Sequence, residues 1–320
     1  MRTISKENGL INRIVNCVKS VLPSTTKTCL WLVKITVIIS FLLLLLSYYN
    51  ILPHISNAIS PVFNLIGLPG EAALPYITGY FVNVYAAISV MCSFDFDVRT
   101  LTILSTMILC SHNIITETAV QKKTGSSAVR MVVIRTISAF VLALVLNLVM
   151  PGEVKALSGR GMEMVGESFA GLIKNWVVST FFMVLKMVVL IYSLAILQKI
   201  LAEFGVIRWL SKILRPFLAF FGLPAKTSFL WVVANTIGLS YGAAVMLEEV
   251  GNGKIGKKDV DLLNAHISIS HSNVEDLMLL TAAGGVWYII LLVRWAGSFV
   301  IVWLFRLEYY IKSLFIQKNY

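Results

Sequence analysis

The stretch NAHISISHSNVEDLM, residues 264–278, lies between long apolar runs and carries His266, His271, Asn264, Asn273, three serines, Glu275 and Asp276. Polar groups inside a membrane must face protein or water, because lipid offers them no hydrogen bonds. The stretch therefore reads as a membrane segment turned toward a protein interior. A second such stretch, SHNIITETAVQKKTG, begins at Ser111.

The surroundings set the class. Of 320 residues, 58% are hydrophobic and 13% charged, and several apolar runs reach the ~20 helical residues that cross ~30 Å of hydrocarbon. These runs are continuous and do not alternate, which excludes barrel strands and makes the chain an all-α polytopic membrane protein. Arg2, Lys6, Arg13, Lys19 and Lys27 precede the first run, Val33 to Leu46. No small-residue cleavage pattern follows it, so it reads as a retained span and not a signal peptide. Cys17, Cys29, Cys92 and Cys110 lack metal-ligand spacing and read as reduced fillers. In such a chain the net charge of +11 speaks to topology, and no nucleic-acid partner is expected.

Working outward, the chain contains one unit twice. PVFNLIGLP from Pro61 matches PFLAFFGLP from Pro216, and Val90-Met91 falls on Val245-Met246. An insertion around Gly251-Asn252-Gly253 then shifts the pairing. Ser111-His112-Asn113 meets His271-Ser272-Asn273, and Gly125 meets Gly285. The division is a cytoplasmic N-terminal segment 1–27, a first membrane repeat 28–150, a connecting loop 151–172, a second repeat 173–307 and a cytoplasmic tail 308–320.

In each copy the third segment, 101–117 or 259–280, is the polar one. If it is re-entrant, each copy crosses three times and the second is inverted relative to the first. With both termini in the cytoplasm, 17 of the 27 Lys and Arg fall inside and six outside, as the positive-inside rule requires of an inner-membrane protein. On this layout Lys122 is inside and Lys257 outside. The cluster Lys254, Lys257, Lys258 sits against the rule, and residues 225–280 are open to two readings, two full crossings or a hairpin that stops halfway. Between Glu203 and Phe217, Arg208, Lys212 and Arg215 share one helical face opposite Leu210, Ile213, Leu214 and Phe217. That pattern fits a helix on the inner leaflet or an ordinary basic loop.

The polar stretches hold the candidate site. Inverted-repeat transporters place broken helices near the midplane, where freed backbone groups bind substrate. Asn273 is positioned to cap a helix whose first turn holds Glu275 and Asp276, and Asn113-Ile-Ile-Thr-Glu is the matching start in the first copy. In NTIGLSYGAA, residues 235–244, Gly238 and Gly242 permit close helix packing or an unwound turn beside Asn235, Ser240 and Tyr241. Glu248 and Glu249 are as readily loop carboxylates as site groups. His271 and Glu275 stand one turn apart, a spacing that allows a proton relay or a shared ligand. Metal centres take three or four protein ligands, and spacing alone does not complete such a set, so metal binding is unknown. His266 reads as part of a structural network.

There is no nucleophile elbow, phosphate loop or zinc-protease helix, so neither an enzyme nor a bound cofactor is expected.

GLSYGAAVMLEE and HISISHSNVED, with SHNIITETAVQKKTG in the first copy, resemble the nucleoside-recognition (Gate) membrane proteins over roughly residues 30–305. Relatives form the gates of concentrative nucleoside transporters and ferrous-iron permeases and the core of spore-maturation membrane proteins. The resemblance implies two inverted Gate-type repeats with broken or re-entrant helices and a substrate site where they meet. Asn113, Thr116 and Glu117 would line it from the first copy, and Tyr241, His271, Ser272, Asn273 and Glu275 from the second. The chain is shorter than full nucleoside transporters and lacks the iron permease's GTPase and cysteine-containing gate motif, so coupling to GTP is not expected. The expected function is a transporter or permease for a small polar solute, nucleoside-like, or an ion. Glu275 and His271 would carry protons or a cation, and Asn113 and Asn273 would orient the ligand. The alternative is a non-transporting scaffold or partner-binding protein. The bilayer and the solute are the expected partners, and assembly into a homo-oligomer is open.

Overall fold

The computed structural model describes residues 2–49, 51–150, 169–236, 246–247, 249–250, 253 and 255–317. Gly238, Ser240, Tyr241, Gly242, Glu248, Lys254 and most of the connecting loop lie outside the described residues. The described residues are helical, with no strand among them. The first half contains α1 (Arg2–Tyr48), α2 (Ile51–Asn64), α3 (Ala73–Phe81), α4 (Val84–Met91), α5 (Val98–Ser111), α6 (Ile114–Lys123) and α7 (Ala128–Val149). The second contains α8 (Phe169–Glu203), α9 (Val206–Ile213), α10 (Arg215–Phe220), α11 (Ser228–Thr236), α12 (Lys257–Ser270), α13 (Glu275–Ala282) and α14 (Trp287–Gln317).

Local chemistry accounts for the boundaries. Asn83 caps α4 by accepting from the Ala86 N–H at 2.8 Å, and Asp97 caps α5 by accepting from Thr100 at 2.6 Å. The two Gly-Leu-Pro turns fold alike: Gly67 and Gly222 have φ of 71° and 77°. Each proline, Pro69 or Pro224, opens a single 3₁₀ turn. Gly67 is needed twice over, since a Cβ there would also collide with the Asn147 side chain. The basic stretch after Glu203 is two short helices, because Pro216 at the start of α10 cannot continue α9. Trp209 is exposed and Ile207 buried on α9, which fits the amphipathic reading.

Val98–Lys123, Ala128–Val149, Phe169–Glu203 and Trp287–Phe315 are long and apolar enough to cross a membrane, among the described residues. In the first half the short fold-back lies in the second segment, and the third, read from the sequence as re-entrant, is the candidate span Val98–Lys123. α3 and α4, of 9 and 8 residues, pack against each other across Val82-Asn83. At 1.5 Å per residue each is only about 13 Å long, too short to cross. The third segments are instead helix, break, helix: α5–α6 and α12–α13.

This changes which residues share an end of the molecule. α5–α6 runs from Arg99, which donates to the Gly67 carbonyl at 3.1 Å and bonds Asn147 near the end of α7. At the opposite end Ser126 and Tyr309 both donate to Asp261, at 2.6 and 2.7 Å, and Arg130 pairs with Glu308. Lys226 pairs with Asp259, Arg306 donates to the Gly222 carbonyl at 2.8 Å, and Lys257 lies beside Gly125. Lys122 and Lys257 thus share one end, where the sequence reading separates them.

Two large apolar clusters lie in the interior among the described residues. One gathers Leu104, Ile108 and Leu146 with Ile269, Leu280 and Ile290, the other Ile207, Leu230, Val260 and Phe305 with Met131. α12 contributes Ile269 to the first and Ile267 to the second. The polar break follows where these clusters meet.

Candidate functional site

Each broken helix ends on a histidine in extended conformation. His112 has φ −60° and ψ 157°, and His271 has φ −74° and ψ 170°. The next residue turns left-handed, Asn113 at φ 50° and Ser272 at φ 54°. Such a conformation costs a side-chain-bearing residue of order 1–3 kcal/mol and tends to mark functional sites. The turn strands the last carbonyls of α5 and α12 away from water. A buried arginine meets them in each half. Arg135 donates to the Cys110 and His112 carbonyls at 3.0 and 2.6 Å, and Arg294 to the Ile269 and His271 carbonyls at 2.7 Å each.

These pairs set the structural register at 159 residues, the separation of His271 from His112. Asn113 thus corresponds to Ser272, Glu117 to Asp276 and Gly125 to Gly284. The sequence match is one residue out because Ser-His-Asn and His-Ser-Asn share composition but not the position of the left-handed turn.

Inside the break the two halves exchange partners. Glu117 Oε1 lies 3.1 Å from Nε2 of His112 and 3.1 Å from Nε2 of His271. Asp276 Oδ2 lies 3.3 Å from His112 Nε2, and the two Nε2 atoms are 3.3 Å apart. Glu117 Oε2 pairs with Arg135 at 2.6 Å. On the far side of each ring, Nδ1 lies at 3.0 Å from the Ile108 carbonyl for His112 and 2.7 Å from the Ile267 carbonyl for His271. A carbonyl only accepts, so both Nδ1 atoms carry the hydrogen. His112, Glu117 and His271 are all buried, and their ligand atoms lie within 4.8 Å of one another.

Of the residues expected in the site, Glu117 and His271 are brought together. Asn273 does not cap α13: it donates to Asn235 at 2.6 Å and accepts from Arg294 at 3.1 Å. The N-cap position is Val274, without a side-chain cap, and the Ser272 hydroxyl accepts from the Asp276 N–H at 3.4 Å. Asn113 makes no side-chain cap and bonds Thr116 instead. Glu275 is not paired with His271 but accepts from Tyr85 at 2.6 Å and Gln198 at 3.3 Å. Tyr241 is outside the described residues. His266 is not a member of the cluster: its Nδ1 faces the Trp231 N–H at 3.1 Å and the Ser270 hydroxyl at 2.7 Å.

His112, Asp276, Arg135 and Arg294 are the members that the sequence reading missed. The arginines had a signal: each is a charge set within the apolar run of a long helix, away from the charges near that helix's end, and charge at membrane depth by default marks function.

Two features adjoin the cluster. Toward the Asp261 end, Gln121, Thr124, Ser126, Asn264 and Ser268 form a buried polar file. Gln121 donates to Ser268 at 2.8 Å, and Asn264 to Thr124 and Ser126 at 2.9 and 3.0 Å. Gln121 Oε1 and Asn264 Oδ1 have no partner among the described residues. On another side, a cavity of about 810 Å³ is lined by Tyr85, Cys92, Trp176, Thr180 and Lys186. Tyr85 joins it to Glu275, the neighbour of Asp276.

Residues 29–152 match the family model for nucleoside recognition, the Gate domain. The chain is also 30% identical over 264 residues to the uncharacterized membrane protein YvoD of Bacillus subtilis (strain 168), a match covering 81% of this chain and 84% of that protein. No solved structure matches. With the Gate model matched over the first broken helix and the identity sustained over most of both chains, the chain belongs to the nucleoside-recognition (Gate) family of membrane proteins.

Proposed function

We propose that the protein is a cytoplasmic-membrane permease that moves a small polar solute or an ion through the meeting point of its two broken helices. One observation carries this reading: two histidines and two carboxylates, drawn from both halves, converge in the buried middle of a membrane protein. Replacing buried charge networks by apolar packing is often neutral or stabilising, so stability does not account for one, and ionisable groups at membrane depth are by default part of a ligand or ion path. The polar file and its two unpartnered oxygens support a route from the cluster toward the Asp261 end.

The reading includes an antiparallel relation between the halves and cytoplasmic termini. Arg13 of α1 pairs with Glu203 at the end of α8, at 3.0 Å, which supports one side for both. With three crossings per half and the fold-back at α3–α4, Lys257 and Lys258 join Lys122, Lys123 and Arg130 inside while Arg99 moves outside. The basic bias then strengthens, and the cluster that opposed the rule no longer does.

The test is uptake by vesicles reconstituted with the full chain, against nucleosides, small organic anions and divalent cations. Saturable uptake that Glu117→Gln abolishes is the expected result. A folded protein that moves nothing in the panel would favour the scaffold reading.

A further inference from the structure

We propose that His112, Glu117 and His271 form a binding site for a divalent first-row transition metal ion, with Asp276 approaching as a fourth ligand beside His112. This names the substrate class of the same site and so rests on the permease reading for its transport role, though not for binding.

The argument begins with the tautomers. Both imidazoles spend their Nδ1 hydrogen on a backbone carbonyl of their own helix. In the neutral ring the other nitrogen then carries a lone pair. These two lone pairs and an oxygen of Glu117 point at one another, at 3.1, 3.1 and 3.3 Å, with no protein donor between them. One proton can occupy only one of those three contacts. One cation at their centre satisfies all three.

The spacing fits such an ion. Zinc–nitrogen and zinc–oxygen bonds of about 2.0–2.2 Å place tetrahedral ligands roughly 3.3 Å apart. Hydrogen-bonding of each ligating imidazole to a carbonyl is the outer support that metal centres use. Here the carbonyls of Ile108 and Ile267 supply it, and the Arg135 guanidinium forms an ion pair with the other oxygen of Glu117. Two imidazoles and one or two carboxylates suit Zn²⁺, Mn²⁺, Fe²⁺ or Co²⁺ and disfavour Mg²⁺ and Ca²⁺, which take oxygen ligands. Three close protein ligands hold the ion, and Asp276, 3.3 Å from His112 Nε2, stands at the edge of the fourth position.

The test uses the full chain in detergent, stripped with a chelator, and Zn²⁺ or Co²⁺ alone as probe. One ion per chain is expected, with X-ray absorption of the loaded protein showing two imidazole neighbours at about 2.0–2.1 Å. His271→Gln should weaken binding about 100-fold or more, beyond the 10–100-fold typical of outer partners. His54→Ala, at an exposed histidine of α2, should leave binding unchanged. The absorption spectrum of the unaltered chain decides the matter if the variant does not fold. No stoichiometric ion, or an ion without imidazole neighbours, overturns the proposal. Binding without metal uptake leaves the site standing and sinks its transport role. Uptake of another solute by a chain that binds no metal does the reverse.

Discussion

Arg135 and Arg294 perform the same task in the two halves, each donating to the carbonyl of the break histidine 23 residues before it and to a second carbonyl 25 residues before it. Both are fully buried. The equivalence ends at the carboxylates: Arg135 also holds Glu117, whereas Arg294 reaches Asn273 and the Leu109 carbonyl of the other half.

Arginine is required for its planar fork, which serves two carbonyls at once, and a lysine cannot reproduce that geometry. Arg135→Lys and Arg294→Lys are each expected to destabilise the fold. Truncation to Gln, which removes the charge, should cost about 3–5 kcal/mol at Arg135 because it leaves Glu117 partly uncompensated. Thermal unfolding of the purified variants checks the ordering.

Glu117 and Asp276 are structurally equivalent yet differently placed. Glu117 touches both histidines and Arg135, while Asp276 touches His112. Glu117→Gln is therefore expected to abolish uptake in reconstituted vesicles. Asp276→Asn should reduce it without abolishing it, since Asp276 approaches the cluster through His112 alone. Equal losses in the two variants would argue against Glu117 as the centre.

Side of exposure can be read by labelling single cysteines in a background without Cys92, which is the exposed one among the described cysteines. Lys122→Cys and Lys257→Cys, both exposed, should react from the same face of the membrane. Asp95→Cys, exposed just before α5, should react from the other. Labelling of Lys122→Cys and Lys257→Cys from opposite faces would contradict the placement of Lys257 beside Gly125.

Gly67 and Gly205 both have positive φ, at 71° and 70°. Alanine at either carries the left-handed penalty of roughly 1–2 kcal/mol. Only at Gly67 does the new Cβ also strike a neighbour, Asn147, whereas nothing lies near Gly205. Gly67→Ala should thus lower the melting temperature clearly more than Gly205→Ala.

The membrane class, the all-helical build and the two polar breaks were legible along the chain. Apolar runs, Gly-Leu-Pro turns and clustered polar residues are local signals, and lipid penalises their misplacement severely. Glu117 and His271 stood out for that reason. What only the tertiary structure decided is which polar residues meet. His271 looks equally able to face Glu275 one turn along its own helix, but the left-handed turn at Ser272 rotates the new helix. Glu275 then faces Tyr85 and Gln198, and Asp276 faces His112. The register of the repeat was hidden likewise, since three polar residues in permuted order align as well one place off. Arg135 and Arg294 lie far along the chain from the breaks they serve, and their purpose is visible only once the stranded carbonyls are seen. Sequence specifies which groups cannot face lipid. Which of them then satisfy one another depends on the packing of helices distant in the chain.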